Sequence, residues 1–154
     1  MLKEMRRKDR ELSQNEAMSI LLKGEYGILA TMGHEYPYAV PVNYVVVNNM
    51  IYVHGTCEIG QKSENIKRNP KICFTVVGQT EVLSSKFSER YKSVVVLGTA
   101  ELSNESDKIV ALEEFINKYS SEYKDSGMKY IQAAKDKTSI YKMKIESITG
   151  KGSY

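Results

Sequence analysis

Residues 36–54 read YPYAVPVNYVVVNNMIYVH, and this stretch decides the fold class. β-branched and aromatic side chains dominate it, and these suit a half-buried pleated surface. Pro37 and Pro41 break a helix, and they also exclude a central strand, because proline lacks the N–H that either ladder needs. Asn48 and Asn49 stand between two apolar runs. Asparagine tolerates left-handed backbone angles, so the pair predicts a tight hairpin turn. A long strand over residues 36–47 is therefore expected to return as a second strand over residues 50–54.

Working outward, residues 26–32 (YGILATM) predict a preceding strand, joined through a turn at Gly33, His34 and Glu35. Residues 71–77 (KICFTVV) and 91–102 (YKSVVVLGTAEL) predict two more, the second bent at Gly98. Residues 139–148 (SIYKMKIESI) alternate and predict a closing strand with one wet face. The polar segment 78–90 is expected to be irregular. Helices are few. Ser13 and Glu16 match a capping box and Gly24 supplies a stop, which predicts a helix over residues 14–23. Ile59 and Ile66 mark a short solvated helix that must end before Pro70. Asn104 and Asp107 start a helix whose apolar spacing runs through Ile109, Leu112, Ile116 and Tyr119, and a weaker helix follows over residues 124–135. The fold class is thus mainly β, with six mostly antiparallel strands and a few short flanking helices in a small barrel.

The 154 residues amount to one domain, 1–154, with residues 1–12 as a basic arm. The net charge of +3 equals that of residues 1–10 alone, where Lys3, Arg6, Arg7, Lys8 and Arg10 outnumber Glu4 and Asp9. A balanced remainder offers no basic docking face, so no nucleic-acid partner is expected. The 11 tyrosines, Tyr36, Tyr38 and Tyr44 among them, also lack the interleaved cations of a base-stacking surface. No apolar run approaches the roughly 20 residues of a membrane-spanning helix. The charged N-terminus lacks the apolar stretch of a secretory signal, and Cys57 and Cys73 form neither a CxxC pair nor a zinc pair. A cytoplasmic location is expected. No third ligand stands near His34 or His54, so no metal site is expected.

Two segments carry candidate chemistry. Pro41 removes one ladder donor, which leaves the backbone around it free to face a flat heteroaromatic ligand, with the Asn43 amide beside it. The same proline equally fits an ordinary edge strand protected from aggregation. The segment HGTCEIGQK, from His54 to Lys62, leaves a strand through a glycine-containing loop into a helix start. Amides there favour an anion, Thr56 offers a hydroxyl and Lys62 a counter-charge. The P-loop spacing is absent, and a solvated loop remains the alternative. His54 fits a proton donor, a base or a structural residue. Cys57 has no partner base, and Ser84, Ser85 and Ser88 lack a nucleophile-elbow frame.

The segments GILATM, YPYAVPVNYVV, IYVHGTCEIGQKSENIKRNPKICFTVVG, YKSVVVLGTAEL and ITGK together resemble the pyridoxamine 5′-phosphate oxidase-like flavoproteins. Within these, the chain is most similar to the nitroimidazole-resistance (Nim-type) branch, over about residues 5–151. The resemblance implies a six-stranded split β-barrel that forms a homodimer, with FMN at two sites between subunits. It implies that the isoalloxazine lies along Val40, Pro41, Val42, Asn43 and Tyr44. The phosphate would be held by the loop of His54, Gly55, Thr56, Gln61 and Lys62, with Lys62 as principal cation. Tyr91 and Ser93 would approach from the other subunit, and His54 would lie near the flavin as the catalytic residue. The implied activity is an FMN-dependent oxidoreductase that passes electrons from a reduced nicotinamide to a small acceptor such as a nitro compound or quinone. A flavin- or haem-binding barrel without turnover and a relative of the vitamin B6 phosphate oxidases are the alternatives. The arginine-rich phosphate grip and substrate arginines of the genuine oxidases are not evident here.

Overall fold

A computed structural model describes residues 2–153; Met1 and Tyr154, the ends of the expected domain, lie outside them. The strands are β1 (Glu11–Leu12), β2 (Tyr26–Met32), β3 (Pro37–Asn43), β4 (Val45–Val47), β5 (Met50–Thr56), β6 (Lys71–Leu83), β7 (Ser88–Leu102) and β8 (Thr138–Ser153). The helices are α1 (Gln14–Lys23), α2 (Gln61–Arg68), α3 (Glu105–Tyr119) and α4 (Lys124–Ala134).

All the strands belong to one antiparallel sheet in the order β3-β2-β6-β7-β8-β5-β4, with β1 added to β8. The two edge strands, β3 and β4, are consecutive in the chain and separated only by Tyr44. A single residue cannot span the width of a flat sheet. The sheet must curl until its edges meet, with no ladder across the seam, and that is a split barrel. Tyr44 turns its ring into the interior, where it packs edge-on against Phe74 at 4.9 Å and its hydroxyl donates to the Leu21 carbonyl. Leu29, Ile51, Val53, Phe74, Val76, Val94, Val96 and Met143 fill the same core.

The expected strand over residues 36–47 is therefore two strands on opposite edges. Inward burial of Tyr44 decides this, and alternation alone does not reveal it. The hairpin turn has Asn48 at φ 50° and Asn49 at φ 60°, the left-handed pair that asparagine accommodates. The expectation of irregular chain over residues 78–90 is overturned. β6 and β7 continue as a two-stranded arm, paired from Thr80↔Tyr91 to Leu83↔Ser88 and turned by Ser84–Lys86. The arm is solvated on both faces, so its polarity reports exposure and not the absence of a ladder. The bend expected at Gly98 is a bulge opposite β8, where a Cβ would stand 1.9 Å from the Lys144 carbonyl oxygen.

α1 begins with the expected capping box, Ser13 with Glu16, and buries Ala17 and Leu21. Gly24 follows it for a different reason from the one expected. Its φ is −64°, and a Cβ would meet Tyr44 Oη and Val76 Cγ1 at 2.5 Å each, so close packing selects glycine. α3 buries Lys108, Ala111 and Phe115, one step round from the expected stripe, while Ile116 packs on Gly127 of α4. The basic arm is not free over its whole length. Glu11 and Leu12 pair with Lys151 and Gly150, and Arg7 and Lys8 are matched by Asp9 and Glu4.

Candidate functional site

Where the barrel is split, β3 faces the end of β5 and the start of α2. A cleft of about 560 Å³ opens there, lined by Tyr26, Pro41, Val42, Asn43, His54 and Lys62. β3 is an edge strand, which is where a proline such as Pro41 is tolerated. In the register Pro41 stands opposite Ile28, and Val42 opposite Gly27. Val42 leans toward the core while Pro41 and Asn43 are exposed.

His54 ends the inner part of β5, opposite Ile140 of β8, and its ring stands edge-on to Phe115 of α3 at 4.9 Å. Partial desolvation, and after it the charge of Lys62, hold its pKa below the ordinary histidine value. The imidazole is therefore neutral near pH 7 and carries one donor and one acceptor nitrogen.

Lys62 is half-buried, and burial lowers its pKa as well. Its ammonium donates to the His54 carbonyl at 3.4 Å, and no carboxylate pairs with it among the described residues. α2 begins after Gly60 without a side-chain cap, which leaves the first amides of the helix that carries Lys62 without a side-chain acceptor. The helix itself is firmly anchored. Buried Asn65 donates to Thr31 Oγ1 at 2.9 Å and accepts from Gln61 Nε2 at 2.8 Å, and Tyr141 donates to Ser63 Oγ at 2.7 Å. Anion-attracting groups thus stand at one end of the cleft and an exposed peptide edge along its side.

The other expected residues distribute as follows. Val40 is half-buried opposite Leu29, next to the lining residues of β3. Gly55 borders Lys62, whose Nζ lies 3.7 Å from where a Cβ would stand. Thr56 is exposed and paired with Thr138. The Gln61 amide is occupied by Asn65. Tyr44 does not face the cleft. Its ring is in the core, its N–H donates to Tyr119 Oη at 3.1 Å, and its carbonyl accepts from Lys118 Nζ at 2.8 Å. It is a corner anchor and not a ligand-facing residue. Tyr91 and Ser93 lie on β7 opposite Ser153 and Lys151 and do not line the cleft within one chain.

Three contributors were not anticipated. Tyr26 lines the cleft and also a larger cavity of about 820 Å³ between α1 and β6. Phe115 backs His54. Lys118 lies 3.8 Å over the Tyr44 ring, with burial holding its pKa down to about 8. The i, i+4 spacing of Phe115 and Tyr119 was readable as one helical face, but its partners come from the other end of the chain.

Comparison with known proteins bears on this cleft. No curated protein matches the sequence. Among solved structures, a candidate 5-nitroimidazole antibiotic resistance protein from Bacteroides thetaiotaomicron is similar at TM-score 0.74 and 23% identity, over 92% of this chain and 86% of that one. A FAD-binding protein from Mesorhizobium loti is similar at TM-score 0.70 and 21% identity, over 94% and 98%. A flavocytochrome from Azotobacter vinelandii is similar at TM-score 0.75 and 19% identity, over 97% and 72%. These likenesses establish the shared fold. The sequence model of the pyridoxamine 5′-phosphate oxidase family matches residues 13–152, which span every strand but β1 and both walls of the cleft, and the chain belongs to that family.

Proposed function

We propose that the protein is an FMN-dependent reductase of the Nim-like kind. Membership of a flavin-binding family supports the cofactor class. The observation that carries the finer reading is Lys62, a half-buried ammonium without a carboxylate, beside an uncapped helix start and an exposed strand edge. A phosphate fits the first pair of features and a planar ring the second. FMN joins both in one molecule, and its ring supplies the redox chemistry.

Lys62 and the amides at the start of α2 would neutralise the phosphate. Val40, Pro41, Val42 and Asn43 would bound the ring along β3. Neutral His54 would hold a hydrogen bond to the acceptor, or deliver a proton to it, from the wall backed by Phe115. No arginine lines the cleft, so it lacks the guanidinium fork that suits a phosphorylated vitamin B6 substrate. A small nitro compound or quinone, with electrons from a reduced nicotinamide, suits the open mouth better.

We propose a homodimer as the working form. Ile28, Ala30, Cys73, Thr75, Val95 and Leu97 point outward on three adjacent strands, and none is charged. Such a face fits a second copy.

An absorption spectrum of the purified protein with added FMN tests the cofactor. A flavin spectrum that remains after gel filtration is expected, and a colourless protein would sink the proposal. Anaerobic mixing of the loaded protein with NADH or NADPH tests turnover. Rapid bleaching is expected, whereas a protein that holds flavin without turnover stays yellow.

A further inference from the structure

We propose that Tyr119 is a positioning residue for the flavin cleft, set from α3 into the end of the β2–β3 ladder so that it fixes the β3 wall; this rests on the flavin reading above. The β2–β3 ladder ends at Tyr26↔Asn43, and both residues line the cleft. Continued by one step, the register sets Glu25 opposite Tyr44. The Tyr119 hydroxyl stands in that place. It accepts from the Tyr44 N–H at 3.1 Å and donates to the Glu25 carbonyl. A phenol thus takes the place of the direct N–H to carbonyl bond of a further rung, and it sets how far apart the two strands stand at the cleft. Burial raises the Tyr119 pKa, so the phenol keeps the proton it donates.

Hydrogen-bond accounting at Tyr44 shows why a clamp is needed there. The residue is fully buried and belongs to neither flanking strand, so its backbone groups have no ladder partner. The phenol takes the N–H. Tyr119 has one proton to give, and Glu25 holds the shorter of its two carbonyl contacts, so the Tyr44 carbonyl depends on Lys118 Nζ at 2.8 Å. α3 brings both groups. It rests on the β4–β5 side of the split, where Ala111 and Phe115 pack with Val45, Tyr52 and Ile140. Asp107 in its first turn accepts from Lys142 of β8 at 2.8 Å. The last turn then reaches across to the β2–β3 side. Phe115 lies one turn before Tyr119, stacked on it at 6.0 Å, and stands edge-on to His54 at 4.9 Å. One helical face therefore touches both walls of the cleft, and α3 fixes the spacing between the β3 edge and His54. A ring laid along β3 would inherit that spacing.

Two measurements on the full chain test this role. Tyr119→Phe keeps the ring stack on Phe115 and removes the bridge. Amide hydrogen exchange without flavin reads the clamp, and the Tyr44 N–H is expected to exchange at least about tenfold faster in Tyr119→Phe than in the wild type. Visible circular dichroism of the chain saturated with FMN reads the seat of the ring. Tyr119→Phe is expected to hold FMN through Lys62 and to show an altered dichroism. Lys118→Met removes only the ammonium's hold on the Tyr44 carbonyl, and it is expected to alter the dichroism in the same direction by less; it decides the matter where Tyr119→Phe does not fold. Gly98→Ala strains the β7–β8 bulge away from the cleft and is expected to keep the wild-type dichroism, which separates positioning from lost stability. An unchanged Tyr44 exchange rate, or wild-type dichroism in both α3 variants, would overturn the positioning role and leave the flavin reading standing. A wild-type chain that takes up no FMN overturns the flavin reading and the positioning role with it.

Discussion

Lys62 and His54 face the same cleft but do different work. The ammonium has no carboxylate partner among the described residues, so in the proposed FMN complex its removal would leave the phosphate charge unmatched, whereas the imidazole would act on the ring side. Lys62→Ala is expected to weaken FMN binding by about 1.5–3 kcal/mol, the range for hydrogen bonds to charged groups. His54→Ala should retain FMN and lose rate. Isothermal titration and steady-state kinetics of the two variants separate these effects, and equal affinity losses count against the assignment. His54 also makes a pH prediction. Its folded pKa is below the ordinary 6.5, so the unfolded chain takes up a proton there more readily than the native one. Its contribution to stability is complete above pH 6.5 and declines as pH falls below that value toward the folded pKa. Melting temperatures across this window should decline less in His54→Ala than in the wild type.

At the scale of elements, α2 and the β7–β8 bulge are the tightest joints. Asn65 is fully buried and bonds both Thr31 and Gln61. Asn65→Ala leaves Thr31 and Gln61 without that partner, which costs about 1–3 kcal/mol when a buried polar group loses its hydrogen bond. It should also weaken FMN binding, because the helix that carries Lys62 loses its anchor on β2. Chemical denaturation and flavin titration read the two effects, and unchanged stability argues against the anchoring role. Gly98→Ala sets a methyl against the Lys144 backbone. The ladder must yield there, at a cost of about 1–3 kcal/mol for overpacking. A denaturant midpoint equal to that of the wild type argues that the bulge can relax.

For the whole molecule, the proposed homodimer would bury the outward face of Ile28, Ala30, Cys73, Thr75, Val95 and Leu97 on β2, β6 and β7. Val95 is on that face, opposite Thr75, and 38% exposed, so a lysine there is tolerated by one chain alone. Burial of that charge between two copies is costly. Sedimentation is expected to give a dimer for the wild type and a monomer for Val95→Lys. A monomeric wild type contradicts the proposed assembly. The β6–β7 arm also projects from the barrel, with Phe87 98% exposed at its tip and at φ 50°. Among the described residues nothing covers that ring.

Short-range chemistry is written in the sequence because neighbours along the chain decide it. The capping box at Ser13, the Asn48–Asn49 turn, the β-rich middle and the glycine loop ahead of Lys62 all follow from local rules. Polarity misled over residues 78–90, because it reports solvent and not strand pairing. Only the folded chain could turn Tyr44 inward, since that depends on α1, β6 and α3 arriving around it from three separate stretches. The same long-range closure brings Phe115 to His54, Asn65 to Thr31 and Arg10 to Tyr91. Loop closure between distant residues is a property of the whole packed barrel, and no window of sequence contains it.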